Sequence, residues 1–126
     1  METVFHKKSI VFIDDNLLMW DVYGKKIITA NFQITFARNG KEGYKKITTL
    51  KPDLIITDLV MPKEDGYYVI EKVRANKETA STKIIAFSDL NNEEDVSEAK
   101  RLGANDVFSK SQLTPEMLVD EIKNMI

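Results

Sequence analysis

The chain of 126 residues contains no cysteine. That absence excludes disulfide bonds, thiolate catalysis and zinc sites built on cysteine ligands. The net charge is −2, with 18 basic and 20 acidic side chains, which gives no electrostatic reason to expect nucleic-acid binding. No apolar run approaches the roughly 20 residues that span a bilayer, and the amino-terminal segment lacks the apolar stretch of a secretory signal. We therefore expect a cytoplasmic protein that contacts neither nucleic acid nor membrane directly.

The composition is that of a folded domain. Hydrophobic residues make up 43% of the chain and charged residues 30%, which is typical of globular proteins. A chain of this length can bury roughly two-thirds of its unfolded surface around one core. No repeat, low-complexity tract or linker interrupts the sequence, so we expect a single domain over residues 1–126.

Short apolar runs alternate along the chain with helical patterns. Such runs, bounded by polar residues, are typical of strands buried on both faces of a parallel sheet. The predicted strands are 9–13, 31–36, 53–57, 83–87 and 106–109, and the predicted helices are about 16–30, 40–50, 65–75, 92–102 and 115–125. The run 31–36 is less apolar, as expected near a sheet edge. The alternation predicts an α/β fold, a doubly wound five-stranded parallel sheet in a three-layer α/β/α sandwich.

Five polar side chains lie where predicted strands end. In chain order they are Asp14, Asp15, Asp58, Ser88 and Lys110. In open parallel sheets, ligands bind beyond the carboxyl ends of the strands. We therefore expect these side chains to converge at one edge of the sheet.

The residue types at this edge suit phosphoryl chemistry. Clustered carboxylates repel one another unless a cation neutralises them, and Mg²⁺ prefers carboxylate and carbonyl oxygens. An aspartate carboxylate can attack phosphorus to form an acyl phosphate. Lys110 and Ser88 supply a positive charge and a hydrogen-bond donor for the charge on the transferring group.

Each of these residues also has an ordinary structural interpretation. Asp14, Asp15 or Ser88 could cap the following helix, Asp58 could belong to a turn, and Lys110 could be a solvated surface lysine. The occurrence of all of them at strand ends, in this order, favours the functional interpretation.

Four segments resemble the response-regulator receiver domains of two-component signalling, similar to the chemotaxis regulator. They are residues 10–16 with the acid pair, 55–62 followed by Asp65-Gly66, 84–88 with the hydroxyl, and 103–110 ending in the lysine. The resemblance covers essentially the whole chain and implies the flavodoxin-like form of the doubly wound fold.

The resemblance implies that Asp58 is the phosphoacceptor. It implies that Asp15, Asp58 and the backbone carbonyl of Val60 hold Mg²⁺, with Asp14 assisting through water. Ser88 would bond a phosphoryl oxygen and Lys110 would pair with the phosphate.

The resemblance also implies the partners. A sensor histidine kinase or a histidine phosphotransfer protein would donate the phosphoryl group, and output would pass to a downstream protein. The domain would be modified rather than act as a turnover enzyme.

Several positions depart from the usual pattern of the family. Ser111 replaces a proline, Val107 replaces an aromatic residue, and Asp89 replaces a small residue. Val60 and Leu90 are apolar, so neither can hold a hydrolytic water by a hydrogen bond. We expect a more mobile Lys110 loop and no aromatic rotamer switch at position 107.

Three other functions are possible for a fold with acids at the strand ends. An aspartyl-phosphate hydrolase of the haloacid-dehalogenase type is disfavoured because Asp14 and Asp15 have no intervening residue and no cap domain is present. A flavin carrier is disfavoured because acids follow the first strand where a phosphate needs an anion-binding loop. A pseudo-receiver, which keeps the fold as a protein-binding scaffold without being phosphorylated, stays open.

The predicted first helix carries more apolar residues than one buried face requires. Its buried stripe consists of Met19, Tyr23, Ile27 and Ala30, with Trp20 at the margin. Leu17, Leu18 and Val22 lie on another side, where the resemblance implies docking of the kinase's helical hairpin. His6, the only histidine, cannot build a histidine metal site unaided and is expected at the surface.

Overall fold

Buried β-branched residues are concentrated in the three central strands of the sheet. A computed structural model describes residues 7–90 and 92–126, and the predicted surface position of His6 lies outside them. In this part of the chain, five parallel strands form one sheet in the order β2-β1-β3-β4-β5. The strands are β1 (Ser9–Ile13), β2 (Gln33–Ala37), β3 (Leu54–Thr57), β4 (Lys83–Ser88) and β5 (Asp106–Ser109). The predicted fold class is confirmed.

The first helix is continuous but not uniformly α-helical. It comprises α1 (Leu17–Met19), a π-helical turn (Trp20–Gly24) and α2 (Lys25–Thr29). The other helices are α3 (Gly40–Leu50), α4 (Gly66–Ala75), α5 (Glu93–Leu102) and α6 (Pro115–Met125). Within the described ranges, none is long and apolar enough to cross a bilayer.

Each helix start is fixed by a short polar side chain that accepts a backbone N–H of the first turn. These N-caps are Asn16, Asn39, Asp65, Asn92 and Thr114. Thr114 is followed by Pro115 at the first helical position, where the missing N–H of proline costs no intrahelical hydrogen bond. Gly103 ends α5 with a positive φ of 125°, a conformation that an L side chain rarely adopts.

Three strands differ from the prediction at their ends, and β3 begins at Leu54 rather than at residue 53. The strand predicted over 31–36 begins at Gln33, because Asn31 adopts a left-handed backbone with φ 73° as the chain leaves the first helix. As predicted, this strand lies at the edge of the sheet. The strand predicted over 83–87 extends by one residue, so Ser88 is the last residue of β4 rather than the first beyond it.

The core lies on both faces of the sheet. Along β3, Leu54 and Ile56 face the first helix and α6, whereas Ile55 faces α3, α4 and α5. All three are fully buried. Each fully buried aliphatic side chain contributes about 1.5–3 kcal/mol, so the central strands anchor the residues that follow them.

The outer face of the first helix is apolar. Leu17, Leu18 and Val22 are exposed, whereas Met19, Tyr23 and Ile27 are buried. The predicted excess of apolar residues on this helix is therefore confirmed. Docking of a kinase there stays a prediction.

Candidate functional site

Three carboxylates meet beyond the carboxyl ends of β1 and β3. Asp14, Asp15 and Asp58 each offer an oxygen, and these oxygens lie within 4.8 Å of one another. The two strands are neighbours in register, which brings the residues that follow them together. Asp14 and Asp58 are buried, at 1% and 7% exposure, while Asp15 is open to solvent.

The carboxylate of Asp58 is held by the backbone on one side and by a cation on the other. Its Oδ1 accepts the N–H groups of Leu59 and Val60 at 2.7 and 3.3 Å, and its Oδ2 accepts from Lys110 Nζ at 3.1 Å. Gly66 lies directly beside this segment. A side chain there would overlap the backbone carbonyl of Asp58, so the tight return of the chain requires glycine.

Asp14 is the most buried member of the cluster. Its Oδ1 accepts the N–H of Asn16 at 2.9 Å. Among the described residues its Oδ2 has no hydrogen bond of regular geometry, and its compensation is an ion pair with Lys110 Nζ at 2.8 Å. Burial raises the pKa of the Asp14 carboxyl above its usual value, and Lys110 only partly offsets this.

Lys110 connects two of the carboxylates. Its side chain is 12% exposed, and burial by itself disfavours the charged ammonium. The bonds to Asp14 and Asp58 outweigh that cost and hold the pKa of Lys110 above its usual value. The interpretation as a solvated surface lysine is therefore wrong.

Ser88 lies at the end of β4 and is almost fully buried. Its hydroxyl oxygen accepts the N–H of Leu90 at 3.4 Å, and its backbone carbonyl accepts the N–H of Lys110 at 2.9 Å. The second bond ties the end of β4 to the loop that carries the lysine. The two residues are thereby positioned relative to each other by backbone.

These groups line a cleft of about 440 Å³. Its walls are formed by Asp15, Asn16, Asp58, Val60, Ser88, Asp89, Leu90 and Lys110. Val60 is 58% exposed and Leu90 is half-buried, so two apolar side chains border the cleft. Asp89 is exposed and adds a further carboxylate.

The helix-capping roles proposed for two of the acids and the serine are not observed. Asn16 caps the first helix, so neither Asp14 nor Asp15 does so. Asn92 caps α5, so Ser88 does not cap it. Asp58 does accept the N–H groups of the two residues that follow it, as a turn residue would, and it also pairs with Lys110. Four of the five residues predicted at the strand ends line one cleft, and the fifth, Asp14, is buried and paired with Lys110.

The donor atoms in this cluster suit a hard dication. They are carboxylate oxygens, and a single ammonium cannot neutralise three carboxylates. A cation that accepts oxygen ligands and keeps water would supply the missing charge. The exposed Asp15 leaves the cluster accessible from the cleft.

Sequence reasoning did not identify the contact that holds the Lys110 loop. Tyr23, expected only as part of a buried stripe, donates its hydroxyl to the carbonyl of Leu113 at 2.6 Å. The loop also carries a Ser109–Ser111 hydroxyl contact of 2.8 Å. The four-residue spacing of Met19, Tyr23 and Ile27 predicts that Tyr23 is buried, but it does not identify the partner of its hydroxyl.

Sequence comparison places these features in a family. The sequence model of the response regulator receiver domain matches residues 10–123. The DNA-binding dual master transcriptional regulator RpaA of Synechocystis sp. is 30% identical over 109 residues, covering 86% of this chain and 45% of that protein. The nitrate/nitrite response regulator protein NarL of Escherichia coli is 35% identical over 114 residues, covering 88% and 51%.

A third relative carries a different activity in its name. Protein-glutamate methylesterase/protein-glutamine glutaminase 3 of Geobacter sulfurreducens is 35% identical over 111 residues, covering 82% of this chain and 28% of that protein. The chain therefore spans about half, or less, of the length of these curated relatives.

Solved structures agree in fold. The chemotaxis protein CheY4 of Vibrio cholerae superposes with a TM-score of 0.89 at 22% identity, covering 96% of this chain and 100% of that one. A CheY-like response regulator receiver domain protein of Methanospirillum hungatei gives a TM-score of 0.87 at 23% identity, covering 94% and 93%. The solved structures therefore show the same fold, and the match over residues 10–123 shows that the chain belongs to the response-regulator receiver domain family of two-component systems.

Proposed function

We propose that Asp58 accepts a phosphoryl group from a phosphohistidine donor in a reaction that requires Mg²⁺. The observation that carries this proposal is the position of the Asp58 carboxylate. It lies in an open cleft, beside two further carboxylates and 3.1 Å from the ammonium of Lys110. A buried acid with a cation on one side and access to solvent on the other suits nucleophilic attack on phosphorus.

The chemistry follows from the atoms present. An Asp58 carboxylate oxygen forms a bond to phosphorus while the bond from phosphorus to the donor's imidazole nitrogen breaks. The electron pair stays on that nitrogen. Charge on the equatorial phosphoryl oxygens is stabilised by Lys110, which exchanges a carboxylate partner for a phosphoryl oxygen. The Ser88 hydroxyl, which donates no hydrogen bond in the described residues, becomes a donor to another phosphoryl oxygen.

The residues that would hold Mg²⁺ are Asp15, Asp58 and the backbone carbonyl of Val60, with Asp14 acting through water. When bound, the ion neutralises the carboxylates and binds phosphoryl oxygens. The crowding of these acids around one lysine supports the assignment.

The partners follow from the proposed reaction. The phosphoryl donor is a sensor histidine kinase or a histidine phosphotransfer protein, which docks on the exposed apolar face of Leu17, Leu18 and Val22. A single receiver domain over residues 1–126 is modified rather than turning over a substrate, acts in the cytoplasm, and passes its signal to a downstream protein. The matched segment covers 45% and 28% of two of these relatives, and the DNA binding and methylesterase activity in their names are not part of this proposal.

The test uses acetyl phosphate as donor, with Mg²⁺, and intact mass as the readout. The wild-type protein should gain one phosphoryl group, and chelation of the metal should prevent it. Asp58→Asn should show no gain. Asp89→Asn, which removes a carboxylate of the same cleft, is the matched control and should still be modified. Equal modification of Asp58→Asn and wild type would contradict the assignment.

A pseudo-receiver scaffold is the alternative function. The observation in its favour is the exposed carboxylate of Asp89 in the cleft, which repels an incoming phosphate. This alternative predicts no mass gain in the wild type and no binding of beryllofluoride in the presence of Mg²⁺. If Asp89 is the cause, Asp89→Ala should restore modification.

A further inference from the structure

Tyr23 connects the first helix to the loop that carries Lys110. It lies in the π-helical turn and is 9% exposed. Its hydroxyl donates to the carbonyl of Leu113 at 2.6 Å and lies 3.5 Å from the carbonyl of Lys110. A residue near the start of the chain therefore holds both ends of a loop that lies almost 90 residues away.

The ring of Tyr23 contacts the second element of the site. It packs edge-on against Phe87, with ring centroids 5.0 Å apart and an interplanar angle of 77°. Phe87 immediately precedes Ser88, whose carbonyl accepts the N–H of Lys110 at 2.9 Å. One side chain thus contacts the strand that ends in the hydroxyl and the loop that carries the ammonium.

The π-helical turn packs closely against Phe36 of the edge strand β2. Trp20 stacks on Phe36 at 4.9 Å and 24°. Gly24 lies against the same Phe36 ring. A Cβ at this position would be 2.6 Å from Cζ of Phe36, so the close approach of helix to ring requires glycine. Such turns are rare and occur frequently at functional sites.

The hydrogen bonds within the loop join only residues 109–112 to one another. Gln112 N–H donates to the carbonyl of Ser109 at 3.0 Å, Ser109 N–H donates to Gln112 Oε1 at 3.3 Å, and the Ser109 hydroxyl contacts Ser111. These bonds shape the loop but do not set its position relative to the first helix. Ser111 also leaves the backbone after Lys110 without the φ constraint of a proline. A hydrogen bond from a buried side chain of another element therefore matters more for the position of Lys110 than the contacts within the loop.

We propose that Tyr23 is a positioning residue of the phosphorylation site. Its hydroxyl sets the Lys110 loop at the depth from which Nζ reaches Asp14 at 2.8 Å and Asp58 at 3.1 Å. Tyr23 contacts no reacting atom and acts through Lys110. This inference rests on the proposed phosphorylation of Asp58.

The experiment compares Tyr23→Phe with Tyr67→Phe. The first variant removes the tether but keeps the ring against Phe87. The second removes the hydroxyl that donates to the Asp95 carboxylate at 3.4 Å, between α4 and α5, and serves as the matched control. With acetyl phosphate and saturating Mg²⁺, we expect Tyr23→Phe to slow modification of Asp58 about tenfold, since small misplacements of a catalytic group are costly. Tyr67→Phe should match the wild type.

Two further readouts separate positioning from a general loss of stability. Hydrogen exchange at the amides of Lys110 and Gln112 should be faster in Tyr23→Phe than in Tyr67→Phe. In a Lys110→Met background, Tyr23→Phe should cause no additional loss of rate, because the residue it positions is gone. A full additional loss there would overturn the proposal.

The outcomes also distinguish this inference from the proposed function. If wild type is modified and Tyr23→Phe keeps the wild-type rate, Tyr23 is not a positioning residue although Asp58 is the acceptor. If the wild-type protein is not modified, the proposed function fails, and only amide exchange then tests whether Tyr23 holds the Lys110 loop. Equal exchange at Lys110 in the two tyrosine variants would then overturn the tether.

Discussion

The two ends of the sheet each contain one partly buried cationic side chain, but the groups around it differ. At the amino ends of β4 and β5 the cation is surrounded by neutral oxygen acceptors, whereas at the carboxyl ends of the sheet it is shared among several carboxylates. The first cation is Arg74. Its guanidinium donates to the carbonyls of Ala80, Thr82 and Gly103 at 2.6 to 3.0 Å, and to Asn105 Oδ1 at 2.9 Å. Burial lowers the pKa of Arg74 somewhat, but guanidinium stays charged in proteins.

The carboxyl ends are arranged differently. Lys110 is shared between Asp14 and Asp58, while Asp15 faces solvent without a hydrogen-bond partner in the described residues. The arrangement needs a further cation to balance its charge, whereas the carbonyls around Arg74 need nothing more. The acceptors at one end of the sheet are satisfied by one cation, whereas the acids at the other end outnumber theirs. Sites that bind or react commonly give up stability in this way.

The largest effect should come from the amino ends. Arg74→Met removes the donor of five hydrogen bonds and leaves three carbonyls, from the α4–β4 and α5–β5 connections, short of partners. We expect a loss of about 3 kcal/mol in the free energy of unfolding, measured with urea. Arg101→Met, which breaks an exposed ion pair with Glu98, is the control and should leave the urea midpoint unchanged. Equal midpoints for both variants would show that the arginine cluster is not structural.

The next effect tests whether the carboxyl ends depend on a cation. Lys110→Met leaves two buried carboxylates without their partner. With a chelator present, it should lower the free energy of unfolding by about 2 kcal/mol, which is less than for a fully buried pair because the cleft admits water. Mg²⁺ should recover much of that loss. Lys83→Met, an exposed lysine at the other end of β4, should show neither effect. A loss that Mg²⁺ does not reduce would argue against charge as its cause.

The same ion pair has a defined pH dependence. The pKa of Lys110 is raised in the folded state, so the pair's contribution is fully present below 10.5. It is lost as the pH rises through the higher folded value. Lys110→Met should therefore approach the wild type in stability at strongly alkaline pH, which urea titrations across that window can measure.

A smaller effect concerns the apolar border of the cleft. Val60 and Leu90 cannot orient a water for attack on a phosphorylated Asp58. Introducing Val60→Asn with Leu90→Glu should speed loss of the phosphoryl group about tenfold, or about 1.4 kcal/mol in the barrier. Leu50→Asn, an exposed apolar residue outside the cleft, is the control for added polarity. A double variant that decays no faster would remove side-chain positioning of water as the determinant of lifetime.

The smallest effect should arise at the hydrogen bond from the Tyr67 hydroxyl to the Asp95 carboxylate, near the same end of the sheet. Burial and the nearby carboxylate of Asp95 raise the pKa of Tyr67 to about 12. Because that pKa is raised, the contribution of the pair is present below 10 and is lost as the pH rises through about 12. Tyrosinate absorbance should show one late-titrating group that is missing in Tyr67→Phe. Titration of that group together with the remaining tyrosines would contradict the assignment.

The π-helical turn in the first helix is a feature that could not be predicted from the sequence. A helix over 16–30 was predicted correctly in extent, but the π-helical turn was not foreseen. Met19, Tyr23 and Ile27 are spaced by four residues, which on a regular α-helix would rotate each by about 40° from the last. A wider turn keeps all three against the core. The spacing is compatible with both geometries, and contact with Phe36 selects one of them.

The pairing of Lys110 shows a second limit. The resemblance to the family assigns this lysine to a phosphate, whereas in the protein without phosphate it bonds Asp14 and Asp58. Those partners lie 96 and 52 residues away, so their distances depend on the sheet order and on the loop after β5. No local pattern carries that information.

The sequence by itself determined which residues lie at strand ends, because apolar runs and the polar residues that close them are local features. It therefore determined the α/β fold and the chemical types available at one edge of the sheet. Only the tertiary structure decided which carboxylate is buried, which one faces solvent, and that Tyr23 holds the lysine loop. Burial and ion pairing depend on atoms brought together from distant parts of the chain, and the free energy of those contacts exists only once the sheet has formed.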